Sequence, residues 1–167
     1  MQTIYSKQSK YGLIEVVQNG DIRSLLFDKC CQGRLNLRTE KPESLYVKQI
    51  LGLIDRLHYR RSEVLVLGGG AFLLPTFLAM KGHTIWVVER DEEIVNVARD
   101  YFFAKWDNLA VCDAEEVKGQ YDIVIHDLFD GYEFSGPSSE ETFNKHVEPG
   151  GILLENQLYD VTFRIKE

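Results

Sequence analysis

The sequence has 167 residues, room for one domain with a small appendage, and its 44% hydrophobic and 27% charged residues suit an ordinary core under a wet surface. A net charge of −7, with no positive stretch denser than Tyr59-Arg60-Arg61, opposes phosphate backbones and argues against a nucleic-acid partner. No apolar run nears the ~20 residues that span a bilayer and residues 1–12 carry no signal-peptide core, so a cytoplasmic protein without a membrane partner is expected.

In chain order, residues 4–17 and 21–27 read as short strands joined at Asn19-Gly20, a hairpin signal because both residues tolerate positive φ. Gly33 precedes a third candidate strand, 34–37. Residues 1–38 are thus expected to form a small antiparallel β unit of two or three strands, too small to stand alone. Residues 39–43 open a helix whose apolar positions Leu45, Tyr46, Ile50, Leu53, Ile54 and Leu57 follow helical spacing. From there apolar runs alternate with helical patterns. Strands are expected at 64–67, 84–88, 109–112, 121–127 and 152–155, and helices at 73–80, 91–103 and 138–146. Asp91 is a candidate N-cap, and residues 161–166 alternate like an edge strand. This is an α/β pattern: over residues 39–167, a Rossmann-like, doubly wound, mostly parallel sheet whose strand carboxyl ends share one edge.

The chemistry gathers at that edge. Gly68, Gly69 and Gly70 follow a strand and open a helix, where bare backbone can turn tightly and approach a ligand. Glu89 ends the next strand 21 residues after Gly68, where a carboxylate can accept hydrogen bonds from two ribose hydroxyls, and Arg90 follows it. Asp113, after the third strand, suits an adenine amino group, with Cys112 and Ala114 flanking the ring. The third fingerprint glycine of dinucleotide sites is replaced by Leu73, which speaks against NAD. Asp127 and Asp130 stand over the same edge, where two acids can hold a cationic amine and take its proton. His126 points to the other face as a packed core histidine, while His58, His83 and His146 near element ends read as surface or capping residues. Cys30, Cys31 and Cys112 offer neither a disulfide framework nor zinc spacing, so no metal is expected.

The succession VLVLGGG, VVERDEEIVNVARDYF, CDA, YDIVIHDLFDG and VEPGGILLEN, with KYG and SLYVKQI upstream, resembles the spermidine synthase family of the class I adenosylmethionine-dependent methyltransferase fold. The resemblance spans residues 10–157 and points to a divergent, C-terminally shortened bacterial member. It implies that Gly68, Gly70 and Glu89 hold the nucleoside and Asp113 the adenine. It further implies that Asp127 and Asp130 form the family's catalytic D-x-x-D pair and that Tyr46 is its amine-side tyrosine. Departures are visible: Ala71 replaces an aspartate that helps hold the aminopropyl end, Val47 replaces a glutamine, and Leu128-Phe129 replaces two small hydroxyl residues. The expected function is a transferase using S-adenosylmethionine or its decarboxylated form, moving an aminopropyl group to a small amine. A methyltransferase acting on a small molecule, or a non-catalytic module binding a nucleoside or a partner, are the alternatives. With an incomplete sheet edge, a homodimer is expected.

Overall fold

The structure, a computed structural model, describes residues 1–130, 133–157 and 160–167, with Asp130 described through its backbone only. The chain opens with an antiparallel meander of five strands: β1 (Gln2–Gln8), β2 (Leu13–Asn19), β3 (Ile22–Phe27), β4 (Cys30–Asn36) and β5 (Lys41–Pro42). The sequence suggested at most three strands, and each difference has a local cause. Residues 4–17 do not run on as one strand, because the Ser9 hydroxyl accepts the N–H groups of Tyr11 and Gly12 (3.0 and 3.2 Å) and folds the chain into a turn. The next strand starts at Cys30, ahead of Gly33, through a two-residue loop in which Asp28 and Lys29 both hold positive φ (46° and 68°). That is the backbone of a primed hairpin turn without the glycine or asparagine that usually announces it. Lys41 and Pro42 pair with Asn36 and Leu35 where a helix start was expected. The Ser44 hydroxyl accepts the Arg34 N–H (2.8 Å) and so ties the chain to β4.

Helix α1 (Leu45–Arg56) then packs Val47, Ile50 and Ile54 inward. The parallel part follows as β6 (Glu63–Leu67), α2 (Leu73–Met80), β7 (Thr84–Val88), α3 (Glu92–Phe102), β8 (Asn108–Ala110) and a short 3₁₀ turn (Ala114–Glu116). After it come β9 (Tyr121–His126), a small hairpin of β10 (Phe129–Asp130) and β11 (Glu133–Phe134), α4 (Ser139–His146), β12 (Val147–Asn156) and β13 (Val161–Ile165). The sheet order is β13-β12-β9-β6-β7-β8, parallel except for β13. The Asp91 carboxylate caps α3 by accepting the Glu93 N–H (2.9 Å), as its position suggested. The chain winds outward from β6 through β7 to β8, then returns to β9 on the other side of β6. A crevice therefore opens above the carboxyl ends of β6 and β9.

One hydrophobic cluster joins the two sheets, with Ile14, Val16, Leu25 and Phe27 of the meander packed together with Val64, Phe72, Ile85 and Ile94. Polar links reinforce the contact: Tyr5 and Lys7 both reach the Glu93 carboxylate, and Arg23 donates to the Tyr101 carbonyl (2.8 Å). A Cβ added to Gly33 would come within 2.6 Å of the Ala71 Cβ, so the two backbones meet there with no room to spare. Gly33→Ala is expected to cost about 1–3 kcal/mol. A compensating Ala71→Gly should recover most of that loss, read as the midpoint of urea unfolding.

His126 is buried, with Nε2 2.9 Å from the Pro137 carbonyl and its ring stacked on Phe134. His83 and His146 differ from expectation. Both are buried, His83 Nδ1 accepting the Ser62 N–H (3.3 Å) and His146 Nδ1 lying 3.0 Å from the Gly119 carbonyl. Turns fold over them, and the loss of water pushes both pKa values down, toward neutral rings. Among the described residues, no helix is long and apolar enough to cross a membrane.

Candidate active site

The crevice is a cleft of about 480 Å³, within the range of small-molecule sites, roughly 300–1,000 Å³. Its floor is the carboxyl edge of the parallel sheet, with Gly68, Gly70, Glu89, Arg90, Asp113, Ala114 and Asp127. Its roof comes from the meander and α1, with Tyr11, Phe27, Gln32 and Tyr46. The structure therefore brings together the sequence candidates from five separate segments. Gly69 is not among the lining residues, and its N–H donates to the Glu89 carboxylate (2.9 Å).

Gly68 has φ +90° and packs directly on the Asp127 carbonyl, where a Cβ would collide with it. This close approach explains why the turn after β6 carries no side chain. Glu89 is held by the turn it faces, accepting N–H groups from Gly69 and Asp91 (both 2.9 Å) and from Gly70. Burial pushes its carboxyl up, and those three donors pull it back. Asp113 lies on the cleft wall between Cys112 and Ala114, its N–H donating to the Glu116 carboxylate (3.3 Å). The Arg90 guanidinium sits over the Tyr11 ring, 4.4 Å from its centroid.

Asp127 is the most perturbed acid of the cleft. Burial raises its pKa from 3.8 to about 6, opposed by hydrogen bonds from Asn156 and Tyr46. Asn156 Nδ2 donates to Asp127 Oδ1 at 2.8 Å. The Tyr46 hydroxyl reaches the same carboxylate and also the Gln32 carbonyl (3.3 Å), and burial pushes its own pKa well up. The side chain of Asp130, the second acid expected here, lies outside the described residues; its backbone pairs with Glu133. Val47 is fully buried in the core, away from the cleft lining. Ala71 is only 2% exposed, closed off under Gly33.

Sequence reasoning missed Asn156, Gln32, Tyr11 and Phe27. Asn156 had a signal, since it ends the parallel strand next to β9 and so must lie at the same edge as Asp127. Tyr11 stood in the KYG motif with no role assigned, and Phe27 and Gln32 had no signal, because their approach to the edge depends on how the two sheets dock.

No protein-family profile matches the sequence, and neither does any characterised protein compared by sequence. Solved structures do match. A probable spermidine synthase from Corynebacterium glutamicum ATCC 13032 superposes with a TM-score of 0.70 at 20% identity, over 92% of this chain and 62% of its own. A spermidine synthase in complex with the transition-state analogue AdoDATO gives 0.69 at 21%, over 95% and 60%. A match over 92% leaves out far fewer residues than the meander contains, so the meander is part of the likeness. The chain has a spermidine synthase-like fold over the part of those proteins that it covers. It spans about three fifths of the length of those two proteins. A glycopeptide N-methyltransferase complexed with sinefungin matches less of it, with a TM-score of 0.52 at 17% identity over 68% of this chain and 54% of its own.

Proposed function

We propose that the chain is a transferase that binds S-adenosylmethionine or its decarboxylated form and passes an aminopropyl group to a small amine. The observation that carries this reading is Asp127, a half-buried carboxylate just after β9 that accepts hydrogen bonds from Tyr46 and Asn156 and lines the cleft with Gly68 and Gly70. The cleft suits an adenosyl group. Gly68 and Gly70 leave backbone bare, Glu89 keeps acceptor capacity for sugar hydroxyls, and Asp113 with Cys112 and Ala114 suits an adenine edge. Asp91 Oδ2, buried at the cleft, has no hydrogen-bond partner among the described residues. The bound group would supply a carbon beside a positively charged sulfur, and displacement by the amine nitrogen would send the bonding electron pair to sulfur. Asp127 holds the amine and accepts its proton as the nitrogen–carbon bond forms. The rest of the catalysis is alignment by the cleft walls and the field of its acids.

Asp127 accepts a proton only when ionised, so turnover should fall as pH drops through about 6. Tyr46→Phe removes a hydrogen bond that favours the ionised form, so the acid limb of the pH–rate profile should move upward. The maximal rate should drop by about tenfold.

One observation favours methyl transfer as a second reading. With Ala71 sealed under Gly33, the glycine turn offers no carboxylate for the amino end of the cofactor's arm. Calorimetry with methylthioadenosine and both adenosyl compounds, followed by mass spectrometry of products from small amines, separates these cases. Aminopropylated product supports the proposal, and methylated product decides for the second reading. Failure to bind any of the three compounds removes both.

A further inference from the structure

The acids of the cleft are unevenly spread. Glu89, Asp91, Asp113, Glu115 and Glu116 follow β7 and β8, at the end suited to a sugar and an adenine edge. Past β9 the lining changes. Asp127 is followed at once by Leu128 and Phe129, both half-buried in the cleft wall, and Ser135 and Gly136 complete that wall. Among the described side chains of this wall, Asp127 is the only carboxylate.

The wall is braced from behind. The Ser135 N–H donates to the Leu128 carbonyl (3.0 Å), and Gly136, at φ +106°, leaves room for Leu128, whose Cδ1 would lie 3.0 Å from a Cβ there. Phe129 meets the Phe134 ring edge-on (6.0 Å, 85°), and Phe134 stacks on buried His126 (5.1 Å, 22°). The stack is anchored by His126 Nε2, 2.9 Å from the Pro137 carbonyl. Rings packed in this way offer a fixed apolar surface with little capacity to solvate a charge.

Resting on the aminopropyl-transfer reading, we infer that the acceptor is a primary amine with a single positive charge on an apolar body, alkyl or aryl, that packs against Leu128 and Phe129. Asp127 holds the nitrogen. With the nucleoside at the β6 to β8 end, the rest of the amine has the Leu128–Phe129 wall beside it. An apolar body gains by leaving water there. A diamine of the same length would press its second ammonium against that wall, where a charge without a partner is strongly disfavoured. Phe129 is thus a specificity-determining residue, and Phe134 is a positioning residue that acts through it.

Steady-state rates with decarboxylated S-adenosylmethionine and hexylamine, phenethylamine, diaminobutane or diaminopentane test this. The kcat/KM of the two monoamines should exceed that of the diamines by about tenfold or more. Phe129→Ala should raise the KM for phenethylamine about tenfold while kcat stays within a few-fold. Phe134→Ala should do the same to a smaller degree, although Phe134 is not among the lining residues. Phe129→Asp adds a carboxylate to the wall and should turn the preference toward the diamines. Methylthioadenosine affinity within about twofold of the wild type, with unchanged circular dichroism, confirms an intact fold and keeps the effect on the amine side. A wild type that prefers the diamines overturns the inference while aminopropyl transfer stands. So does a Phe129→Ala variant that loses nucleoside affinity but keeps its amine preference. Transfer to none of the four amines, with methylthioadenosine still bound, overturns both.

Discussion

Asp127→Asn is expected to lower turnover by about 10²–10⁴-fold while leaving methylthioadenosine affinity within a few-fold. The carboxylate is the group placed to take the amine proton, and an amide cannot. The Asn156 amide can still donate to the remaining oxygen at position 127, so the local geometry survives. The same substitution should make the protein more stable at neutral pH. Folding raises the Asp127 pKa from 3.8 to about 6, so the folded chain binds that proton more tightly than the unfolded chain does. The ionised carboxylate therefore costs stability, nothing at low pH and progressively more as pH rises from about 4 to about 6, then constant above. Full linkage over that shift is up to about 3 kcal/mol. Denaturant titrations at pH 4 and pH 8 check it: the variant should match the wild type at pH 4 and exceed it at pH 8. Equal turnover in the variant would remove Asp127 as the base, whatever its effect on stability.

Glu89→Gln should lower methylthioadenosine affinity by about 100-fold. Glu89 accepts three backbone N–H groups around the glycine turn. A glutamine must point its NH₂ at one of these donors whichever way the amide lies, which costs about 1–3 kcal/mol and shifts the turn. It also withdraws half of the acceptor capacity offered to a sugar. Calorimetry measures the affinity, and a lowered melting midpoint with unchanged circular dichroism reports the loosened turn. A variant that binds within twofold of the wild type would free Glu89 from any sugar-holding role and leave it as a clasp for the loop. Asp127→Asn and Glu89→Gln thus move opposite quantities, one the chemistry and one the binding.

Much of the parallel sheet was legible because its strands are buried on both faces and therefore appear as unbroken apolar runs, such as Val64 to Leu67 and Ile123 to Ile125. A parallel sheet aligns all its strand carboxyl ends, so the residues that end those runs must share an edge whatever the details of packing. Gly68, Glu89, Asp113 and Asp127 were found together for that reason. The meander was less legible. The Asp28-Lys29 turn adopts a glycine-like backbone without glycine, and the Ser9 turn depends on one hydroxyl.

The sequence by itself determined the α/β winding and the rim of glycines and acids, because local periodicity and chain order are enough to set both. Tertiary structure alone decided that the Tyr46 hydroxyl reaches Asp127, that Glu93 is gripped by Tyr5, and that Gly33 seals Ala71. Those contacts join residues 38 to 88 positions apart, and a pairing across such distances leaves no periodic trace along the chain. The physical consequence is largest at Asp127, where burial by remote segments turns an ordinary surface acid into one that titrates near 6.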